Sequence, residues 1–202
     1  MGIGDRIDAV VVGAGHAGLA ASRHLAQRGI EHVVLDEGRV GESWRSRWDS
    51  FALNTPAWAG RLPGETDVAA PRDAFLTRDA WVDRLERYVA THRLPIRPGV
   101  RVVRLGPGVG PGSTIRIETE TGGSEAGSIA ARAVVVAAGF QRLPRLPDLV
   151  SALPPSVRSL HTHEYRRPDA LPDGAVLVVG TAQSGGQVAE DLLDAGRRVY
   201  VS

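Results

Sequence analysis

An α/β fold built on a parallel sheet is predicted by three observations. Residues 8–36 run from a β-branched strand through a glycine-rich turn into a helix and on to a second strand. Residues 175–201 repeat that design, and aligning Gly13 with Gly180 also matches Gly18 with Gly185 and Gly29 with Gly196. Between the two lie short strand candidates broken by glycine and proline, which predict a small β-meander returning to the sheet. The expected architecture is two Rossmann-like units. A first domain spans residues 1–165, with the parallel sheet and the meander, and a second begins over residues 171–202.

In the first unit, Val10–Val12 is a β-branched run suited to a strand buried on both faces. Gly13, Gly15 and Gly18 follow at the G-x-G-x-x-G spacing. His16 to Arg28 is predicted as a helix with Ala17, Leu19, Ala20 and Leu25 on its buried side and Gly29 as its stop. A second strand, His32 to Leu35, ends in Asp36, 18 residues after Gly18. Each position has a mechanical reason for binding a dinucleotide. Gly13 makes the tight turn, Gly15 lets the backbone approach a pyrophosphate, and Gly18 lets the helix lie close on the strand. The helix N–H groups face the phosphates, and Asp36 accepts hydrogen bonds from a ribose hydroxyl.

After Asp36, Gly41-Glu-Ser-Trp44, Arg45 to Asp49 and Leu53-Asn-Thr-Pro56 form a long irregular stretch holding Trp44, Trp48 and Trp58. A loop of this length in a compact domain is usually functional. Leu62-Pro-Gly64 and Pro71 are expected to keep it from helix or sheet. Trp81, Leu85, Tyr88 and Val89 fall on one helical face, which predicts a helix over Arg78 to Thr91 capped by Thr77. Strands are expected at Val100 to Leu105, Thr114 to Thr119 and Ala133 to Ala137, separated by the Gly106 to Gly112 segment and a Gly122-Gly123 turn. The small residues Ala137-Ala-Gly139 allow a close backbone approach. Pro144, Pro147, Pro154 and Pro155 mark a linker.

In the second unit, Ala175 to Val179 is a buried strand, Gly180 to Gly185 the turn, and a helix runs to Ala195 before the Arg198 to Val201 strand. Ala182 stands where glycine is usual. By the same alignment the partner of Asp36 falls one residue beyond Ser202, so the chain is expected to be the N-terminal portion of a longer protein.

Composition narrows the function. Hydrophobic residues make up 43% of the 202-residue chain, enough for a core, and no apolar run reaches the length of a membrane span. The formal net charge is +1, and the basic side chains are dispersed among acids, which argues against a nucleic-acid surface. No basic-then-apolar leader precedes Asp8, so a cytosolic protein is expected. The chain has no cysteine and no lysine, which excludes disulfides, thiolate metal sites, redox dithiols and Schiff-base chemistry within it. No metal site is expected, since no histidine has a partner at metal-ligand spacing.

With these motifs the chain resembles the flavin-dependent monooxygenases of the flavin-containing and Baeyer–Villiger group. The first unit is similar to their FAD site and Gly41-Glu-Ser-Trp44 to their G-x-x-W segment. Trp48-Asp-Ser through Asn54-Thr-Pro56 is similar to the loop beneath the flavin. Val134-Val-Val-Ala-Ala-Gly139 resembles their A-T-G strand, with Ala138 for Thr. His161-Thr-His-Glu-Tyr165 resembles the end of their linker fingerprint, although Pro155-Ser-Val157 replaces its F-x-G opening.

The resemblance implies FAD in the first unit, NADPH or NADH in the second, and oxygenation of a small-molecule N, S or carbonyl substrate through a flavin C4a-hydroperoxide. It assigns FAD contacts to Gly13, Gly15, His16, Ala17, Gly18, Asp36, Glu37, Ser43, Trp44, Asn54, Val102, Ala138 and Gly139. It assigns NAD(P)H contacts to Gly180, Ala182, Gln183, Ser184 and Gly185. Asn54 is the candidate catalytic residue, its amide able to donate and accept near the flavin ring; an Asx-turn before Thr55-Pro56 is the alternative. Trp44 either covers the flavin or packs in the core, and His161 either lines the hinge between units or sits on the surface. Arg197 and Arg198 leave the nicotinamide type open. Two other functions stay open at this point: a cysteine-free NAD(P)H–flavin oxidoreductase, and a non-catalytic flavin-binding remnant.

Overall fold

The structure, a computed structural model, describes residues 7–66, 70–108, 114–140 and 143–202. Asp5 and residues 109–112 of the expected separator lie outside the described residues. The first unit is one six-stranded sheet. Strands β1 (Ile7–Val12), β2 (His32–Asp36), β5 (Ile96–Pro98) and β8 (Ser124–Val136) run parallel in the order β5-β2-β1-β8. Strands β7 (Ile115–Thr121) and β6 (Val100–Pro107) continue from β8 as an antiparallel meander.

The run at Val10–Val12 is apolar at every position because both faces of β1 are covered. Val11 and Val34 face a core with Leu19, Trp81, Leu85 and Tyr88, supplied by helix α1 (His16–Gln27) and helix α3 (Arg78–His92). Val10, Val33 and Leu35 face the opposite core with Ile7, Ile117 and Ala131 of the meander side. Adjacent strand residues point to opposite faces, so one short run feeds both cores.

The helices match the periodicity with one correction. Helix α1 ends at Gln27 with Arg28 as its C-cap, and Gly29 at φ +65° stops it. Ala17 is exposed, not buried; Gly18, Leu19 and Ser22 form the buried stripe. Leu19, Ala20 and Leu25 pack on the core as expected, and Ala17 alone departs. Ser22 Oγ pairs with His32 Nε2 at 2.8 Å, which explains a hydroxyl in the stripe. Helix α3 begins at Thr77, whose Oγ1 accepts the Ala80 N–H at 3.3 Å.

Other corrections concern strands whose partners are distant in sequence. The stretch after Asp36 is not irregular throughout. It holds a short helix, α2 (Glu42–Arg45), and an antiparallel ribbon of β3 (Ala52–Pro56) with β4 (Phe75–Thr77). Three-residue β5 follows Pro95 and ends in Pro98 at the sheet edge, where a missing N–H is tolerated. Gly106 and Pro107 belong to β6 and do not separate strands. β8 is 13 residues long, where the sequence predicts a strand only over Ala133 to Ala137. Its first part pairs with β7 and its last part with both β1 and β7 or β1 alone, so long-range pairing carries a Ser/Ala/Arg run of low intrinsic strand preference.

In the second unit, β9 (Val176–Val178) and β10 (Val199–Val201) pair in parallel around helix α4 (Gln183–Asp194). Its core is Val178, Val188, Ala189 and Leu192 together with Trp48 and Tyr165. No helix among the described residues is long and apolar enough to cross a membrane.

Candidate functional site

The carboxyl ends of β1, β2 and β8 meet at the first glycine turn, where open parallel sheets bind ligands. Gly13 has φ +107°, and a side chain there would lie 2.9 Å from the carbonyl carbon of Ala137, just past β8. A side chain at Gly18 would lie 2.9 Å from the carbonyl carbon of Gly13. The fold demands both glycines. It does not demand Gly15, which has φ −84° and open space within 4 Å of where a side chain would start. Gly15 is the N-cap of α1 and offers no side chain to the first helical N–H groups, which are therefore left without a side-chain cap.

Asp36 braces this turn. Its Oδ2 accepts the Ala14 N–H at 2.6 Å and its Oδ1 accepts the Gly38 N–H at 2.8 Å. The sequence spacing predicts a ribose partner alone for this acid; the structure adds a bracing role, and a carboxylate keeps further acceptor capacity beyond these two bonds. Gly41 N–H donates to Ala14 O at 3.2 Å, seating the Gly41–Trp44 segment on the turn. Arg101 Nε reaches Glu37 Oε2 at 3.7 Å, so the meander strand carrying Val102 curls back to the end of β2. Ala138 and Gly139 follow β8 and are exposed beside Gly13.

Trp44 stands between its two expected roles. It is half-buried, 5.9 Å from the Phe51 ring and 6.1 Å from the Trp81 ring. Ser43 lies exposed in α2 and Asn54 exposed in β3. An Asx-turn is excluded at Asn54, because the residue two positions on is Pro56, which has no N–H to donate. His161 lies in the linker between the units, where its Nδ1 accepts the His163 N–H at 3.1 Å and its own N–H donates to Glu164 Oε2 at 3.0 Å.

Beneath the aromatic cluster lie polar groups of which the sequence singles out His16 alone. His16 Nε2 and Trp81 Nε1 are buried without a hydrogen-bond partner, their rings 5.6 Å apart. Arg84 packs over Trp81 at 5.3 Å and forks onto Glu65 at 2.9 and 2.7 Å, with Ala57 O at 3.1 Å. Burial pushes the Glu65 carboxyl up, but the bonds from Arg84 and the Leu62 N–H outweigh it and hold the carboxyl below its ordinary range. The signal was an arginine on the apolar stripe of α3, where a charge must have a buried partner.

The second glycine turn reproduces the first. Gly180 has φ +99°, and a side chain at Gly185 would lie 2.9 Å from the Gly180 carbonyl carbon and 3.6 Å from Val178 Cγ1. The matching distance from Gly18 to Val11 Cγ1 is 3.5 Å. Gly180 N–H donates to Ser202 O at 2.8 Å as Gly13 N–H does to Leu35 O at 2.7 Å. Ala182 caps α4 with φ −69° and ψ 177°, near the −84° and −174° of Gly15, so its methyl is accommodated without strain. Gln183 is exposed and Ser184 half-buried at the head of α4. Arg197 is held by the carbonyls of Pro168, Pro172 and Gly174, and Arg198 precedes β10 at its amino end. Both arginines lie at the amino end of β10.

Residues 10–202 match the family described as "Pyridine nucleotide-disulphide oxidoreductase". An uncharacterized CzcO-like oxidoreductase of Geobacillus kaustophilus is 36% identical over 97% of this chain and 54% of its own length. The indole-3-pyruvate monooxygenase YUCCA1 of Oryza sativa subsp. japonica is 32% identical over 94% of this chain and 46% of its own. The chain spans about half the length of the curated relatives it matches. Among solved structures, a flavin monooxygenase from Stenotrophomonas maltophilia superposes with a TM-score of 0.82 at 24% identity, over 98% of this chain and 57% of that one. The OTEMO complex with FAD and NADP gives 0.72 at 21% identity, over 96% and 38%. These relatives agree with the resemblance that the motifs carry.

Proposed function

The chain belongs to the pyridine nucleotide-disulphide oxidoreductase family, and from that premise we propose that it binds FAD at the first glycine turn and NADPH or NADH at the second, serving monooxygenation of a small-molecule N, S or carbonyl substrate. The carrying observation is Gly15, a glycine that the fold does not require, at an uncapped helix end beside two glycines that it does require. His16 Nε2 and Trp81 Nε1, buried and unpartnered, add polar groups at the same helix end that a dinucleotide could satisfy. The residues present therefore fit the group.

The proposed division is residues 1–165 for FAD and 171–202 for the beginning of the nicotinamide site. The N–H groups after Gly13 and Gly15, through His16, Ala17 and Gly18, would take the pyrophosphate. Asp36 would accept from a ribose while holding Ala14, with Glu37 and Val102 at the adenosine side. Ser43, Trp44, Asn54, Ala138 and Gly139 would border the flavin, where Trp44 excludes water and the Asn54 carboxamide donates and accepts. Gly180, Ala182, Gln183, Ser184 and Gly185 would hold the nicotinamide nucleotide. FAD supplies the electron carrier and the dioxygen chemistry when bound. The absence of cysteine within the chain favours this reading over dithiol chemistry, despite the family's description. Titration with FAD and with FMN tests it: the folded chain is expected to quench FAD fluorescence in preference to FMN. Folded protein that leaves FAD fluorescence unchanged overturns the assignment.

A further inference from the structure

Two hydrogen bonds join the units at a single residue pair. Gln187 Nε2–H donates to Ala52 O at 2.9 Å, and Ala52 N–H donates to Gln187 Oε1 at 3.4 Å. Ala52 opens β3, the strand that carries Asn54. Gln187 lies one turn inside α4, behind Gln183, Ser184 and Gly185. A carboxamide copies a peptide group, with donor and acceptor in one plane, so this side chain takes the place of a neighbouring strand along the free edge of β3. The segment just before β3 is fixed to the second unit and to the linker that leads into it. Trp48 is fully buried against Val188 and Leu192, and Asp49 N–H donates to Arg166 O at 2.9 Å. The first turn of α4 cannot shift without carrying Ala52 or breaking both bonds.

Resting on the reading that two nucleotides occupy the two glycine turns, we propose that Gln187 is a positioning residue that couples them. It ties the strand bearing Asn54 to the helix whose N-terminus meets the nicotinamide nucleotide. Filling the second site then changes affinity at the first, and filling the first changes the second by the same factor.

The test measures FAD affinity of the 202-residue chain by flavin fluorescence. Each titration is run alone, with saturating NADP⁺ and with saturating NAD⁺, for the wild type, Gln187→Met, Gln187→Glu and Tyr165→Phe. The wild type is expected to change FAD affinity by about fivefold or more with one of the two nucleotides. Gln187→Met is expected to bring that ratio to within about twofold of unity, as for independent sites. Gln187→Glu keeps the acceptor and loses the donor, so its ratio is expected to fall between. Tyr165→Phe removes the 2.6 Å bond to Asp191 at the same interface without touching β3, and is expected to keep the wild-type ratio. The proposal is overturned by an unchanged ratio in Gln187→Met, by an equal loss in Tyr165→Phe, or by a wild-type ratio of one. A folded wild type that binds no FAD overturns this proposal together with the function it rests on, whereas FAD binding without coupling overturns the proposal alone.

Discussion

Gly15 and Gly18 stand three residues apart and are glycine for different reasons. At Gly18 the neighbouring Gly13 carbonyl leaves no room for a methyl, so Gly18→Ala is expected to lose at least about 3 kcal/mol of stability. At Gly15 a methyl meets open space at an ordinary φ, as Ala182 shows in the repeat, so Gly15→Ala should keep the thermal midpoint and lower FAD affinity by about tenfold or more. Thermal melts paired with FAD titrations separate the two; a Gly15→Ala protein with wild-type affinity would remove the phosphate role. Asp36 combines both kinds of constraint. Asp36→Ala releases the Ala14 and Gly38 N–H groups as well as a ribose partner, so it should weaken FAD binding and lower the melting temperature together. Hydrogen bonds to a charged group are worth about 1.5–3 kcal/mol each. A fall in affinity with no change in melting would mean that the bracing contributes nothing.

Helix α3 shows how far periodicity reaches at the scale of an element. Its start at Thr77 and its apolar stripe were legible because cap chemistry and the 3.6-residue period are local. The role of Arg84 was not, because its partner Glu65 lies in a turn whose position depends on the rest of the domain. Glu65 and Arg84 are both nearly buried, and the loop from Ala57 to Glu65 is closed by them and by Tyr88 OH donating to Pro63 O at 2.6 Å. Glu65→Gln leaves a buried guanidinium short of its counter-charge, with an expected cost of about 3–5 kcal/mol. The pH dependence follows from the same pair. The folded carboxyl lies below its ordinary value of 4.5, so its stabilising contribution is complete above that value. It is lost as pH falls through the lowered folded value. Denaturant melts between pH 7 and pH 3 should show wild type converging on Glu65→Gln in acid. Parallel curves at all pH values would assign the stability elsewhere.

Over the whole molecule, the first unit lends a residue to the core of the second. Trp48 is fully buried among Val178, Val188, Ala189 and Leu192. Trp48→Ala should cost about 3–5 kcal/mol. Hydrogen exchange should show lost protection in α4 and β9, while β1, β2 and β8 stay protected. Uniform loss across both sheets would instead mean that the units unfold as one. The sequence by itself determined the two glycine turns, the helices they open, the buried strands β1 and β2 and the cap of α3. Each of these is written in residues a few positions apart and obeys local sterics or a fixed period. Only the tertiary structure decided the β3–β4 ribbon, the full length of β8, the Arg84–Glu65 pair, the place of Trp48 and the Gln187–Ala52 bonds. Their partners are far apart along the chain, and no local preference sets which distant group a strand edge or a buried charge will meet once the cores close.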